Sequence, residues 1–85
     1  MTSIEKEFKI KPNTYRYEIY KALSENLEEL SLRDIMSRRG IHKTKAIYAI
    51  SEIKKMIENG LVIRFRISEK SQSQWLDSTY IIKPY

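Results

Sequence analysis

The chain has 85 residues, enough for one small domain, and carries 16 Lys and Arg against 11 Asp and Glu, a net charge of +5. With no cysteine, one histidine and two glycines, it has no means of building a disulfide, a thiolate or histidine-rich metal site, or a glycine-rich phosphate loop. No apolar run approaches the roughly eighteen residues of a membrane span, and the residues after Met1 lack a signal-peptide core, so a cytoplasmic protein is expected.

The charge excess is uneven. Residues 1–30 carry five basic and six acidic side chains, residues 31–60 seven against three, and residues 61–85 four against two. Clustered positive charge is the footprint of a polyanionic partner, or otherwise a solvated surface.

Along the chain, Phe8 and Ile10 alternate with Lys9 and Lys11, which predicts a short strand in an N-terminal arm of residues 1–12. Pro12 ends it and Asn13 is expected to cap the next element. A first helix follows over about Thr14–Asn26, with Tyr15, Ile19, Ala22 and Leu23 on its apolar stripe and Glu18, Lys21 and Glu25 outward. Tyr20 lies off the stripe, open to another subunit. Leu30 is a candidate for one short strand.

The second helix has complete local signals. Ser31 is its N-cap, Asp34 stands three residues on, and Leu30 with Ile35 forms a hydrophobic staple. Leu32, Ile35 and Met36 form the buried side. Arg38 and Arg39 suit the negative end of the helix dipole, and Gly40 supplies a positive φ for the exit. A third helix is expected over about Lys43–Asn59, with Ala46, Ile50, Ile53 and Ile57 inward and Thr44, Tyr48, Ser51 and Lys55 opposite, flanked by Lys43, Ile47 and Lys54. Gly60 closes it, with Leu61 folding back onto Met56 or Ile57. The remainder predicts a hairpin. Leu61, Ile63, Phe65 and Ile67 form the buried face of one strand, Ser68–Gln74 a polar loop, and Trp75–Ile82 the return strand, ended by Pro84.

The run Ser31-Leu32-Arg33-Asp34-Ile35-Met36-Ser37-Arg38-Arg39-Gly40-Ile41-His42-Lys43-Thr44-Lys45-Ala46, followed by Ile50, Ile53 and Asn59-Gly60-Leu61-Val62, resembles the winged-helix (winged helix-turn-helix) family of DNA-binding proteins over about residues 13–83. The resemblance implies an α+β fold of three helices followed by a two-stranded β-hairpin wing, with residues 13–85 as the domain. It further implies that the third helix enters the major groove of duplex DNA, where a helix about 12 Å across fits. Lys43, Thr44, Ile47, Tyr48 and Ser51 are then the positions approaching base edges. Lys43 and Lys45 flank the helix N-terminus, where backbone amides also favour phosphate. Lys54 and Lys55 meet the phosphate backbone or nothing.

Each position has an alternative. Tyr48 contacts the groove or covers the wing or second helix. Ile47 touches a thymine methyl or serves a protein interface. His42 stands where the family usually has a Ser or Thr cap, and either touches a phosphate or is an exposed turn residue. Arg33, Arg38 and Arg39 lie near the DNA backbone or on a solvated face. Arg64 and Arg66 share one strand face, and Lys70 in the loop is the expected wing contact with the minor groove or its phosphates. Trp75 is expected to close the core rather than stack on a base.

Two functions remain beside sequence-specific regulation of transcription: a protein–protein interaction module and a non-specific, chromatin-like DNA binder. No nucleophile with an apparent base is present, so an enzyme is not expected, nor a cofactor, metal or small-molecule ligand. A homodimer is expected, through the first helix, the arm with Phe8 and Ile10, and the Ile81–Tyr85 tail. Some six neutralised phosphates would give a salt slope near about −5. The short, isoleucine- and lysine-rich chain is also similar to the small winged-helix proteins of viruses and plasmids of thermophilic archaea.

Overall fold

The computed structural model describes residues 10–26, 28–69 and 73–83. The strand expected at Phe8, Lys70 of the loop, and Pro84 and Tyr85 lie outside these residues. The order is α1 (Tyr15–Ser24), β1 (Leu30–Ser31), α2 (Leu32–Arg39), a 3-10 turn (Lys43–Lys45), α3 (Ala46–Glu58), β2 (Val62–Arg66), α4 (Gln74–Asp77) and β3 (Thr79–Ile82). Among the described residues, four helices thus pack with a three-stranded antiparallel sheet of order β1-β3-β2, an α+β architecture.

The cap of α1 sits one residue later than expected. Asn13 adopts φ +66°, a left-handed conformation that asparagine tolerates. Thr14 is the cap, accepting from the Tyr17 amide at 3.1 Å and donating its hydroxyl to the Lys11 carbonyl at 2.7 Å. Ile19, Ala22 and Leu23 are buried as the stripe requires, with Tyr15 only half-buried. Tyr20, expected to be open to a partner, is partly buried against the chain's own core, and Ile10, assigned to the arm, is a core residue.

The cap of α2 is as expected, with the Ser31 hydroxyl accepting from the Asp34 amide at 3.1 Å. Gly40 leaves the helix at φ +69°, and the Ile41 amide returns to the Met36 carbonyl at 2.9 Å. Leu32, Ile35 and Met36 are buried. The third helix starts with a 3-10 turn and becomes α-helical only at Ala46.

The rotation of α3 differs from expectation. Its buried centre is Ala49, Ile53 and Met56, with Ala46, Ile50 and Ile57 only partly buried. At 100° per residue this turns the helix by roughly 60° from the expected stripe. Two contacts with α1 hold that rotation. Arg16 Nε lies 3.0 Å from Glu52 Oε2, and the Tyr15 and Tyr48 rings stack with centroids 6.2 Å apart. After α3, Gly60 (φ +77°) turns the chain and the Leu61 amide bonds to the Met56 carbonyl at 3.0 Å.

The hairpin is corrected in two respects. First, the face of β2 is the reverse of the expected one. Leu61 and Val62 are both buried, so period two sends Ile63 and Phe65 out, at 37% and 52% exposed, with Ile67 at 54% just beyond the strand. Arg64 takes the inner position, its guanidinium stacked 4.1 Å from the centre of the Trp75 ring. Second, Trp75 lies in α4, not in a strand, and β3 starts only at Thr79. A bulge at Phe65 sets Arg64 opposite Tyr80 and Arg66 opposite Thr79. Buried Ser78 sits at this corner. Its hydroxyl accepts from Arg64 and from the Ser68 amide, and donates to the Gln74 carbonyl. Residues 74–77 close the corner as one helical turn. Among the described residues, no buried side-chain nitrogen or oxygen lacks a hydrogen-bond partner.

Candidate nucleic-acid interface

With Ala49, Ile53 and Met56 inward, the outer side of α3 is centred on Ile47, Ser51, Lys54 and Glu58, with Thr44 and Lys55 beside them, and all six are exposed. Ile47 is 77% exposed and Tyr48 56%. Lys43, Thr44 and Lys45 extend the surface towards the turn, and all three are exposed. Apart from the Trp75 ring of α4, which Lys54 meets, these positions face solvent.

His42 is exposed and caps the 3-10 turn, its Nδ1 accepting from the Thr44 amide at 3.2 Å with the Thr44 hydroxyl at 2.9 Å. An imidazole acceptor thus replaces the hydroxyl that a Ser or Thr cap would offer. Tyr48 covers neither the wing nor the second helix. It lies over Tyr15 of α1, with the Lys45 ammonium 5.6 Å from its ring centre, at one side of the outer face.

The arginines are held within the domain. Arg33 Nε bonds Asp77 Oδ1 at 2.9 Å, and that bond, with the charge of Asp77, raises the guanidinium above its ordinary pKa. Arg39 Nε lies 2.7 Å from Glu18 Oε2, which likewise raises its pKa, and Nη1 lies 3.9 Å from Glu25. Arg38 Nη1 reaches the Asn26 side-chain oxygen at 3.4 Å. Arg66 pairs with Glu29 at 3.0 Å, while Arg64 is spent on Ser78 and Trp75. Lys55 lies 3.8 Å from Glu52. Lys54 sits 4.8 Å from the centre of the Trp75 ring, so the indole has a cation from α3 and another from β2 within reach. Trp75 is partly buried against the core, as expected.

The structure therefore brings together His42, Lys43, Thr44, Lys45, Ile47, Ser51, Lys54 and Lys55 on one exposed surface, and sets Tyr48 at its margin. Arg33 approaches this surface across an open depression of about 460 Å³, walled by Met36, Ile41, His42, Lys43, Ala46 and Leu76. Arg39 turns to α1, and Arg66 to the segment before β1. The acidic partners Glu18, Glu29 and Asp77 had no signal in the sequence, since each lies at least twenty-one residues from the arginine it meets or shares no helical spacing with it.

Among the described residues no helix is long and apolar enough to cross a membrane, and no cluster of three His, Cys, Asp or Glu could hold a metal. Comparison with family models, with curated proteins and with solved structures found no match.

Proposed function

We propose that this chain is a winged-helix protein that binds duplex DNA sequence-specifically as a regulator of transcription in the cytoplasm. In this reading α3 enters the major groove, α2 and its turn lie along the backbone, and the β2–β3 hairpin is the wing beside it. The observation that carries the reading is the division of α3. One side is buried in the core, and the opposite side is exposed from Lys43 to Lys55, with lysines at both ends and small hydroxyl residues between. A groove-reading helix needs that division, because its inner face must be held rigidly while its outer face offers donors and small groups. The lysines are exposed cations suited to phosphates.

The test is duplex binding by gel shift or fluorescence anisotropy, followed by selection from random duplex. The double variant Lys43→Glu, Lys45→Glu should lose about 1–3 kcal/mol or more of binding free energy while keeping its circular dichroism. Unchanged affinity would remove α3 from the interface.

A second reading is a protein-interaction module. The outward Ile63, Phe65 and Ile67 favour it, since an apolar strip on an open edge strand suits a partner protein. Weak, sequence-independent DNA binding beside a tight protein partner would decide for it. A homodimer over a palindromic site belongs to the first reading. With Ile10 and Tyr20 in the core, its contacts fall to other residues of α1 and to the chain ends.

A further inference from the structure

Resting on the DNA-binding reading, we infer that the chain reads thymine 5-methyl groups through Ile47, so that its target carries a T·A pair opposite this residue.

Ile47 is the most exposed large apolar side chain among the described residues, at 77%. It stands on the outer face of α3 in its first turn, with Thr44 of the 3-10 turn before it and Ser51 one turn after it. A β-branched side chain in a helix is restricted to essentially one χ1 rotamer, so its γ-methyl projects in a fixed direction before any ligand arrives.

The chemistry around it narrows what such a face can read. Base discrimination in the major groove rests on bidentate Arg or Lys to guanine, Asn or Gln to adenine, Glu or Asp to cytosine and apolar contact with the thymine methyl, while Ser and Thr serve several bases. Residues 43–55 contain no Arg, Asn or Gln, and their acidic residue, Glu52, is paired with Arg16. Lys43 and Lys45 lie at the entry to the helix, and Lys45 is drawn towards the Tyr48 ring. Tyr48, the other large group on this surface, is stacked on Tyr15 at the margin. Lys54 sits against Trp75, and Lys55 lies near Glu52. Ile47 is thus the large apolar group that this face presents at its entry end, with the hydroxyls of Thr44 and Ser51 on either side. In unmodified DNA, the one apolar group on a major-groove edge that matches it is the methyl of thymine.

The test uses the full chain and the best duplex from the selection described above. Each thymine in turn is replaced by uracil, which removes only the methyl. Binding is followed by anisotropy at constant salt. Burying one methyl contributes about 0.8 kcal/mol, so uracil at the position facing Ile47 should weaken binding roughly three- to fivefold. At that position a cytosine duplex should bind more weakly than its 5-methylcytosine counterpart. Ile47→Ala, a change at an exposed site, should bind thymine and uracil duplexes alike. Equal binding of thymine and uracil duplexes at every position overturns the inference and leaves the DNA-binding reading standing. A methyl effect that persists in Ile47→Ala overturns the assignment to Ile47. Absence of binding to any duplex overturns both.

Discussion

Tyr80 shows how one side chain ties the sheet to the rest of the domain. It is fully buried, and its hydroxyl donates to the Trp75 carbonyl at 2.6 Å, linking β3 to α4. Burial pushes its pKa up to about 12, against the opposing pull of the Arg64 charge and of hydrogen bonds with Ser78 and Arg64. The unfolded chain has an ordinary phenol near about 10. Folding therefore favours the protonated form. That contribution is complete below about pH 10 and is lost as pH rises through about 12, a fall on the order of 2–3 kcal/mol. Tyr80→Phe should lack this component of the alkaline decline, while starting about 1 kcal/mol lower at neutral pH because the Trp75 carbonyl loses its donor. Urea midpoints of both proteins across pH 8–12 measure this, and parallel curves would refute the assignment. Ser78 belongs to the same corner, where a small hydroxyl holds Arg64 inward and leaves Ile63 and Phe65 facing solvent.

At the scale of elements, the segment from α2 to the start of α3 is held by local chemistry, and that chemistry can be tested by substitution. A Cβ at Gly40 would meet no atom within 4 Å, so Gly40→Ala is a purely backbone perturbation at φ +69°. It should cost about 1–2 kcal/mol, and Gly40→Asn less, because asparagine tolerates this region. Ser31→Ala should cost about 1 kcal/mol through the lost Asp34 amide bond. Thermal denaturation of the three variants orders these effects, and an Asn variant less stable than the Ala variant would contradict the conformational account. Such signals are short-range, which is why α2, its cap and its glycine exit were legible in the residues themselves. The rotation of α3 was not. Its apolar positions 46, 49, 50, 53, 56 and 57 cover an arc about 120° wide, and only α1, through Arg16–Glu52 and Tyr15–Tyr48, selects the part that is buried deepest. The face of β2 was misread for a related reason. Apolar alternation pointed Ile63 and Phe65 inward, yet an arginine stacked on an indole took the inner place. A single helical turn such as α4 has too few residues to show a period. Most of the candidate surface was legible because it follows from the helix alone, whereas the loss of the arginines from it depends on acidic residues distant in sequence.

For the molecule as a whole, the distribution of charge matters more than its total. The net charge of +5 includes arginines whose charge is met inside the domain: Arg16 by Glu52, Arg33 by Asp77, Arg39 by Glu18 and Arg66 by Glu29. The cations on the outer side of α3 and its turn are Lys43, Lys45, Lys54 and Lys55. If these four supply the phosphate contacts, log K should fall with log salt at a slope near about −4 per protomer, each phosphate contributing about −0.9. The value near −5 expected from the sequence would require cations outside this group, such as Arg38, to reach phosphates as well. The molecule measures 37 × 26 × 21 Å, so one copy spans about one helical turn of duplex. Two copies would place their α3 helices in successive major grooves about 34 Å apart. Binding measured between about 50 and 200 mM salt, with protomers counted by sedimentation, tests both quantities. Lys43→Ala or Lys54→Ala should each make the slope shallower by about 1. A slope near zero would mean that phosphates are not the partner of this surface, and would transfer the functional weight to the apolar strip of β2.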